Sequence, residues 1–151
     1  MARALVAAAL PLAATWARKQ EAWILCDGVP LRDAQLADAR RIGIAHPERV
    51  RVLHVATIPP RMHPVLRFLA AKFGLRFDGT IGMALGYGIF IGEWHLESRA
   101  LLAHELVHVR QYERLGFASF LRQYLRECLC EGYPQGALEA EARYVAELIC
   151  A

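Results

Sequence analysis

The 151-residue chain is predicted to be a single α+β domain, mostly helical, with a small β-sheet preceding a central helix. Three observations predict it. The length suits one hydrophobic core, and no linker, internal repeat or low-complexity stretch divides it. Most of the chain carries apolar residues at helical spacing between recognisable start and stop signals. Only two segments, 49–58 and 80–92, have the alternation or the glycine, β-branched and aromatic content of strands.

The elements follow in order. Residues 2–25 read as a helix kinked near Pro11, with Leu5, Leu12, Trp16 and Trp23 as its apolar stripe. The run ALVAAALPLAATWA is about 14 residues long, short of the roughly 20 a membrane span needs. A secretory leader is the competing reading, but the stripe crosses the place where it would be cut. Asp27-Gly28 is a turn, and Asp33 to Ile42 a short helix with Gly43 at its end. RVRVLHVATI (49–58) alternates and reads as a strand stopped by Pro59-Pro60. Pro64 to Phe73 is helical up to Gly74. TIGMALGYGIFIG (80–92) holds two short strands, 81–85 and 87–91, joined at Gly86. Ser98 caps the next helix, which stops at Gly116. Helices from Phe117 and around Leu138–Ile149 complete the chain, separated by EGYPQG.

Composition narrows the function. Hydrophobic residues make up 56% and charged residues 22%, which excludes a disordered chain. The net charge is +3, but the arginines are scattered (Arg40, Arg41, Arg49, Arg51, Arg110, Arg114, Arg122, Arg126), so no nucleic-acid surface is expected. Arg110/Arg114 and Arg122/Arg126 each share a helix face and repel, with Glu113 and Glu127 near enough to relieve them. Cys26, Cys128, Cys130 and Cys150 form no CxxC pair; free thiols in a reducing, cytoplasmic setting are expected.

The chemistry concentrates in HELVH (104–108), set within an uncharged helical stretch. At about 100° per residue, His104 and His108 lie about 40° apart, and Glu105 sits at the edge of the same face. Leu102, Leu106 and Val109 occupy the opposite side. Two imidazoles one turn apart can bind one Zn²⁺, while the glutamate between them can take a proton from a metal-activated water. Catalytic zinc usually has three protein ligands, and the helix around 138–148 offers Glu139, Glu141 and Glu147.

Here the chain resembles the gluzincin zinc metallopeptidases, in which HExxH is followed on a later helix by ExxAD or a relative of it. Glu139-Ala140-Glu141-Ala142-Arg143 matches ExxA, with Arg143 in place of the aspartate. The likeness spans about residues 80–146 and implies a minimal, single-domain zincin-like protein of bacterial type over 1–151. It implies His104, His108 and Glu139 as ligands of one Zn²⁺, with Glu141 as the alternative third ligand. Glu105 is then the general base in hydrolysis of a peptide or protein substrate. The strand Tyr87, Gly88, Ile89, Phe90, Ile91 is expected at the sheet edge, pairing with the substrate. Tyr133 or Tyr87 is the candidate oxyanion stabiliser, and His95 stands close enough in sequence to approach the site. The alternative is a catalytically inactive zincin-like metal-binding domain that acts as a protein-interaction module. Residues 1–79 carry no motif.

Overall fold

The computed structural model describes residues 1–60 and 62–151. Helix α1 (Ala2–Asp27) continues unbroken through Pro11, and Thr15 Oγ1 donates to the Pro11 carbonyl at 2.8 Å. Its buried stripe differs from the expected one. Leu5 and Leu12 are exposed, whereas Val6, Ala17, Glu21 and Ile24 are buried. The partner of α1 decides this. Ile24 lies against Gly88 so closely that a Cβ there would be 2.9 Å from the Ile24 Cβ. Glu21, one turn earlier, accepts a 3.0 Å hydrogen bond from the Tyr87 backbone N–H. A buried carboxylate without such donors would be costly.

Strand β1 (Val29–Pro30) is too short to carry any periodicity. Helix α2 (Asp33–Ile42) ends at Gly43, whose φ of 96° suits glycine. Strand β2 (Arg51–Val55) occupies the middle of the predicted 49–58 segment. Helix α3 (Pro64–Lys72) begins with proline in its first turn, where the missing N–H is harmless. Strands β3 (Gly82–Leu85) and β4 (Gly88–Gly92) meet at Gly86, φ 62°. Helix α4 (Arg99–Leu115) is capped by Ser98 Oγ, which accepts from the Leu101 N–H at 3.3 Å. Helices α5 (Phe117–Glu131) and α6 (Ala137–Cys150) follow. The architecture is α+β and mostly helical, with one small sheet. The described cysteines are all free, Cys26 and Cys130 exposed and Cys128 buried.

The sheet order is β1-β2-β4-β3. Strand β4 runs parallel to β2, with Val52 opposite Ile89, and antiparallel to β3, with Ala84 opposite Ile89. This overturns one expectation. Tyr87, Gly88, Ile89, Phe90 and Ile91 are not an edge strand; Gly88 through Gly92 are all buried in the interior of the sheet. GIFIG has no apolar–polar alternation, as a strand covered on both faces requires. The edge is β3.

Helix α4 lies between the sheet and α6. Leu102, Ala103, Leu106, Val107 and Val109 are buried in one cluster with Ile89, Ile91, Ala142 and Ile149. Full burial of one such aliphatic side chain stabilises by about 1.5–3 kcal/mol. The backbone of HELVH is thus clamped from both sides.

Candidate metal centre

Helix α4 brings His104 and His108 together one turn apart, with their Nε2 atoms 3.2 Å from each other. Helix α6 supplies Glu139. Its Oε2 lies 3.2 Å from His104 Nε2, and its Oε1 lies 3.5 Å from His108 Nε2. One ligand atom from each of the three residues falls within 4.8 Å of the others. The group is near enough to hold a metal ion.

The donor set fits such an ion in spacing and in charge. Bonds of about 2.0–2.1 Å to a tetrahedral centre imply ligand–ligand edges of about 3.3–3.4 Å. The two Nε2 atoms lie 3.2 Å apart, and the Glu139 carboxylate lies 3.2 Å from the first through Oε2 and 3.5 Å from the second through Oε1, close to that value. Glu105 and Glu139 are both buried, and carboxylates held away from water cost free energy unless a cation or a proton balances them. The electrostatics carry the same sign. Burial alone would lower the His108 imidazole, yet Glu139 and Glu105 beside it push it above its ordinary value. Burial raises Glu139, but contacts from His104, His108 and Tyr124 prevail and hold it well below the usual carboxylate range.

The three side chains are braced from outside. Tyr124 Oη, on α5, donates to Glu139 Oε1 at 2.8 Å. Glu127, buried on the same helix, accepts from the Leu138 N–H at 2.9 Å and so caps the turn of α6 that carries Glu139. The His108 Nδ1 lies 2.7 Å from Gln111 Oε1.

Glu105, about 100° round α4 from His104, reaches Gly82 at the sheet edge. A Cβ on Gly82 of β3 would lie 2.6 Å from Glu105 Oε1, so glycine leaves the carboxylate its place. Burial pushes the Glu105 carboxyl up, against the pull of His108 and His104. A raised carboxyl is the better proton acceptor and donor near neutral pH. Between Glu105, the ligands and the N-terminal helices lies a cavity of about 170 Å³. His104, Glu105, His108 and Glu139 line one end. Trp16 of α1, Leu69 of α3 and Phe73 beyond it supply apolar walls, and β3 contributes Gly82 to Leu85.

The remaining expected residues divide. Tyr133 lines the cavity, and burial together with Glu139 and Glu105 pushes its hydroxyl up to about 12, so it stays a proton donor. Tyr87 does not reach the site: its hydroxyl donates to Glu113 Oε1 at 2.8 Å and its ring lies under the Arg49 guanidinium. Glu141 is no ligand. It lies about 200° round the helix from Glu139, where Arg110 and Arg114 hold it. That also revises the arginine pairing. Arg110 and Arg114 converge on Glu141, while Glu113 accepts from the Ala45 and His46 backbone amides. Arg143, in the aspartate position of the family pattern, donates to the Pro134 carbonyl. His95 is absent from the cavity lining. Sequence reasoning missed Gln111, Tyr124 and Gly82. A lone glutamine three residues after His108 on an apolar helix was the available signal for the first; tertiary packing alone reveals the other two.

Comparison with protein-family models, curated proteins and solved structures finds no match to this chain.

Proposed function

We propose that the chain is a zinc-dependent metallopeptidase of gluzincin type, in which His104, His108 and Glu139 hold one Zn²⁺ and Glu105 is the general base. The observation that supports this best is the convergence of those three side chains at the end of an apolar cavity, beside a second carboxylate that is not needed as a ligand. Two imidazoles and a carboxylate suit zinc and other late first-row ions better than magnesium or calcium. When bound, the ion supplies a Lewis acid that polarises a peptide carbonyl and brings the pKa of water to about 7.

The chain's own residues do the rest. β3 pairs with β4 on one side only, so its outer edge can receive an extended peptide next to Glu105. Glu105 takes a proton from the attacking water and passes it to the leaving amine nitrogen. Tyr133 donates to the developing oxyanion. The apolar walls exclude water and admit a bulky apolar side chain beside the scissile bond. The cavity of about 170 Å³ compares with the roughly 150 Å³ that takes up benzene in an engineered core.

The test is metal analysis of protein purified without chelator, followed by comparison of wild type with Glu105→Gln on a peptide library. Both proteins should bind one zinc, and the variant should lose on the order of 10²–10⁴ in cleavage rate. Zinc binding with no Glu105-dependent cleavage would replace the peptidase reading by the interaction-module one.

A further inference from the structure

Glu141 accepts four hydrogen bonds. Its Oε1 receives Arg110 Nη2 at 2.6 Å and Arg114 Nη1 at 3.0 Å; its Oε2 receives Gln111 Nε2 at 2.8 Å and Arg114 Nη2 at 2.9 Å. Gln111 is fully buried, so its amide is satisfied by protein groups. The amide nitrogen has two N–H groups. One goes to Glu141 Oε2 and the other to the Leu138 carbonyl at 2.9 Å. Neither partner can donate: a backbone carbonyl has no hydrogen, and both Glu141 oxygens already accept from guanidinium N–H groups, Oε1 from Arg110 and Arg114 and Oε2 from Arg114. The amide therefore has one orientation, with its oxygen on His108. At 2.7 Å that oxygen accepts, so the proton of a neutral His108 ring resides on Nδ1.

We infer that Glu141, acting through Gln111, is a positioning residue that fixes the tautomer of His108 and so turns the Nε2 lone pair toward His104 and Glu139. The inference rests on the metal-centre reading, but it concerns a residue with no place among the ligands. The same four contacts tie α4, which carries both histidines, to α6, which carries Glu139 two residues before Glu141. The chain thus braces a histidine ligand from its own helix, with an arginine pair behind the brace.

Glu141→Gln keeps the shape at 141 and introduces an amide N–H, so Gln111 can turn over and present its own N–H to His108. Two measurements decide the matter. In metal-free protein, at a pH where the ring is neutral, the imidazole ¹⁵N shifts of His108 should report the proton on Nδ1 in wild type and a substantial Nε2–H population in Glu141→Gln. By zinc titration, Glu141→Gln should bind about 10–100-fold more weakly. Arg114→Met, which leaves Glu141 to Arg110 and Gln111, should stay close to wild type in both. An unchanged His108 tautomer in Glu141→Gln overturns the inference, as does a wild-type ring protonated on Nε2. The nitrogen shifts decide it even if wild type binds no zinc, a result that would sink the metal reading separately. Should Glu141→Gln fail to fold, Gln111→Met removes the same hydrogen bond and is read in the same two ways.

Discussion

Gly82 occupies a position where any side chain would meet the carboxylate of Glu105. Its virtual Cβ lies 2.6 Å from Oε1 and 2.9 Å from Leu101 Cδ1. Both neighbours are ends of flexible side chains, so alanine can be accommodated if Glu105 rotates away. The atoms nearest that Cβ belong to Glu105 and Leu101, so His104, His108 and Glu139 need not move. Gly82→Ala is therefore expected to bind zinc as wild type does and to melt within a few degrees of it. Its cleavage rate should fall on the order of a hundredfold, since a displacement of about 1 Å at a catalytic group has that effect. Equal rates for the two proteins would show that the observed place of Glu105 is not the working one. Tyr124 is the complementary case. Its hydroxyl donates to Glu139, so it bears on that carboxylate. These two positions share a reason for having escaped notice in the sequence. Nothing in the local pattern of GMAL or FLRQYLRE distinguishes a residue that meets the site from one that meets the core.

At the scale of elements, α2 is fastened to α4 by a bidentate pair. Arg99 Nε and Nη2 donate to the Asp38 carboxylate at 2.8 and 2.9 Å, and Arg41 lies 3.6 Å away. The Arg99 hydrogen bonds hold the Asp38 carboxyl below its ordinary value, against the upward push of burial. A carboxyl whose folded value is depressed stabilises the fold above the unfolded-chain value of about 3.9. That contribution is lost as pH falls through the folded value. Asp38→Asn should thus be less stable than wild type at neutral pH, with the gap closing below about pH 4. Urea midpoints across that range measure it, and a gap independent of pH would mean that packing rather than charge holds the two helices. Elements of this kind were readable one at a time. Gly43, Ser98 and Gly116 mark the ends of α2 and α4 because caps and left-handed turns are local chemistry. How the elements meet was not readable. Strand β4 was expected at the edge because the two hairpin strands look equivalent in sequence; its parallel partner, β2, lies more than thirty residues earlier. Its unbroken apolar run was the one clue to an interior place. The choice between Glu139 and Glu141 was open for a related reason: both reach α4, Glu139 at His104 and His108 and Glu141 at Arg110, Gln111 and Arg114, and only the docking of α6 decides which meets the histidines.

For the whole molecule, residues 1–79 acquire a role that no motif announced: α1 and α3 wall the cavity, and β2 holds β4 in the sheet interior. Among the described residues no helix is long and apolar enough to cross a membrane. Three clusters of buried apolar side chains form the core. A core of that extent should fold without the metal, unlike domains too small to form one. Zinc should bind the folded state as a ligand and add stability by mass action. At a free concentration of one hundred times Kd the gain is about 2.7 kcal/mol. For a chain of this size that corresponds to a rise of about 5–10 °C in Tm. Metal-free wild type should still unfold cooperatively, and added zinc should raise its midpoint in a concentration-dependent way. His108→Ala should lose the rise. Glu105→Gln should keep it, because Glu105 lies outside the His104, His108 and Glu139 group. A chain that unfolds on chelation would make the ion part of the fold, and a rise that survives in His108→Ala would place the zinc elsewhere.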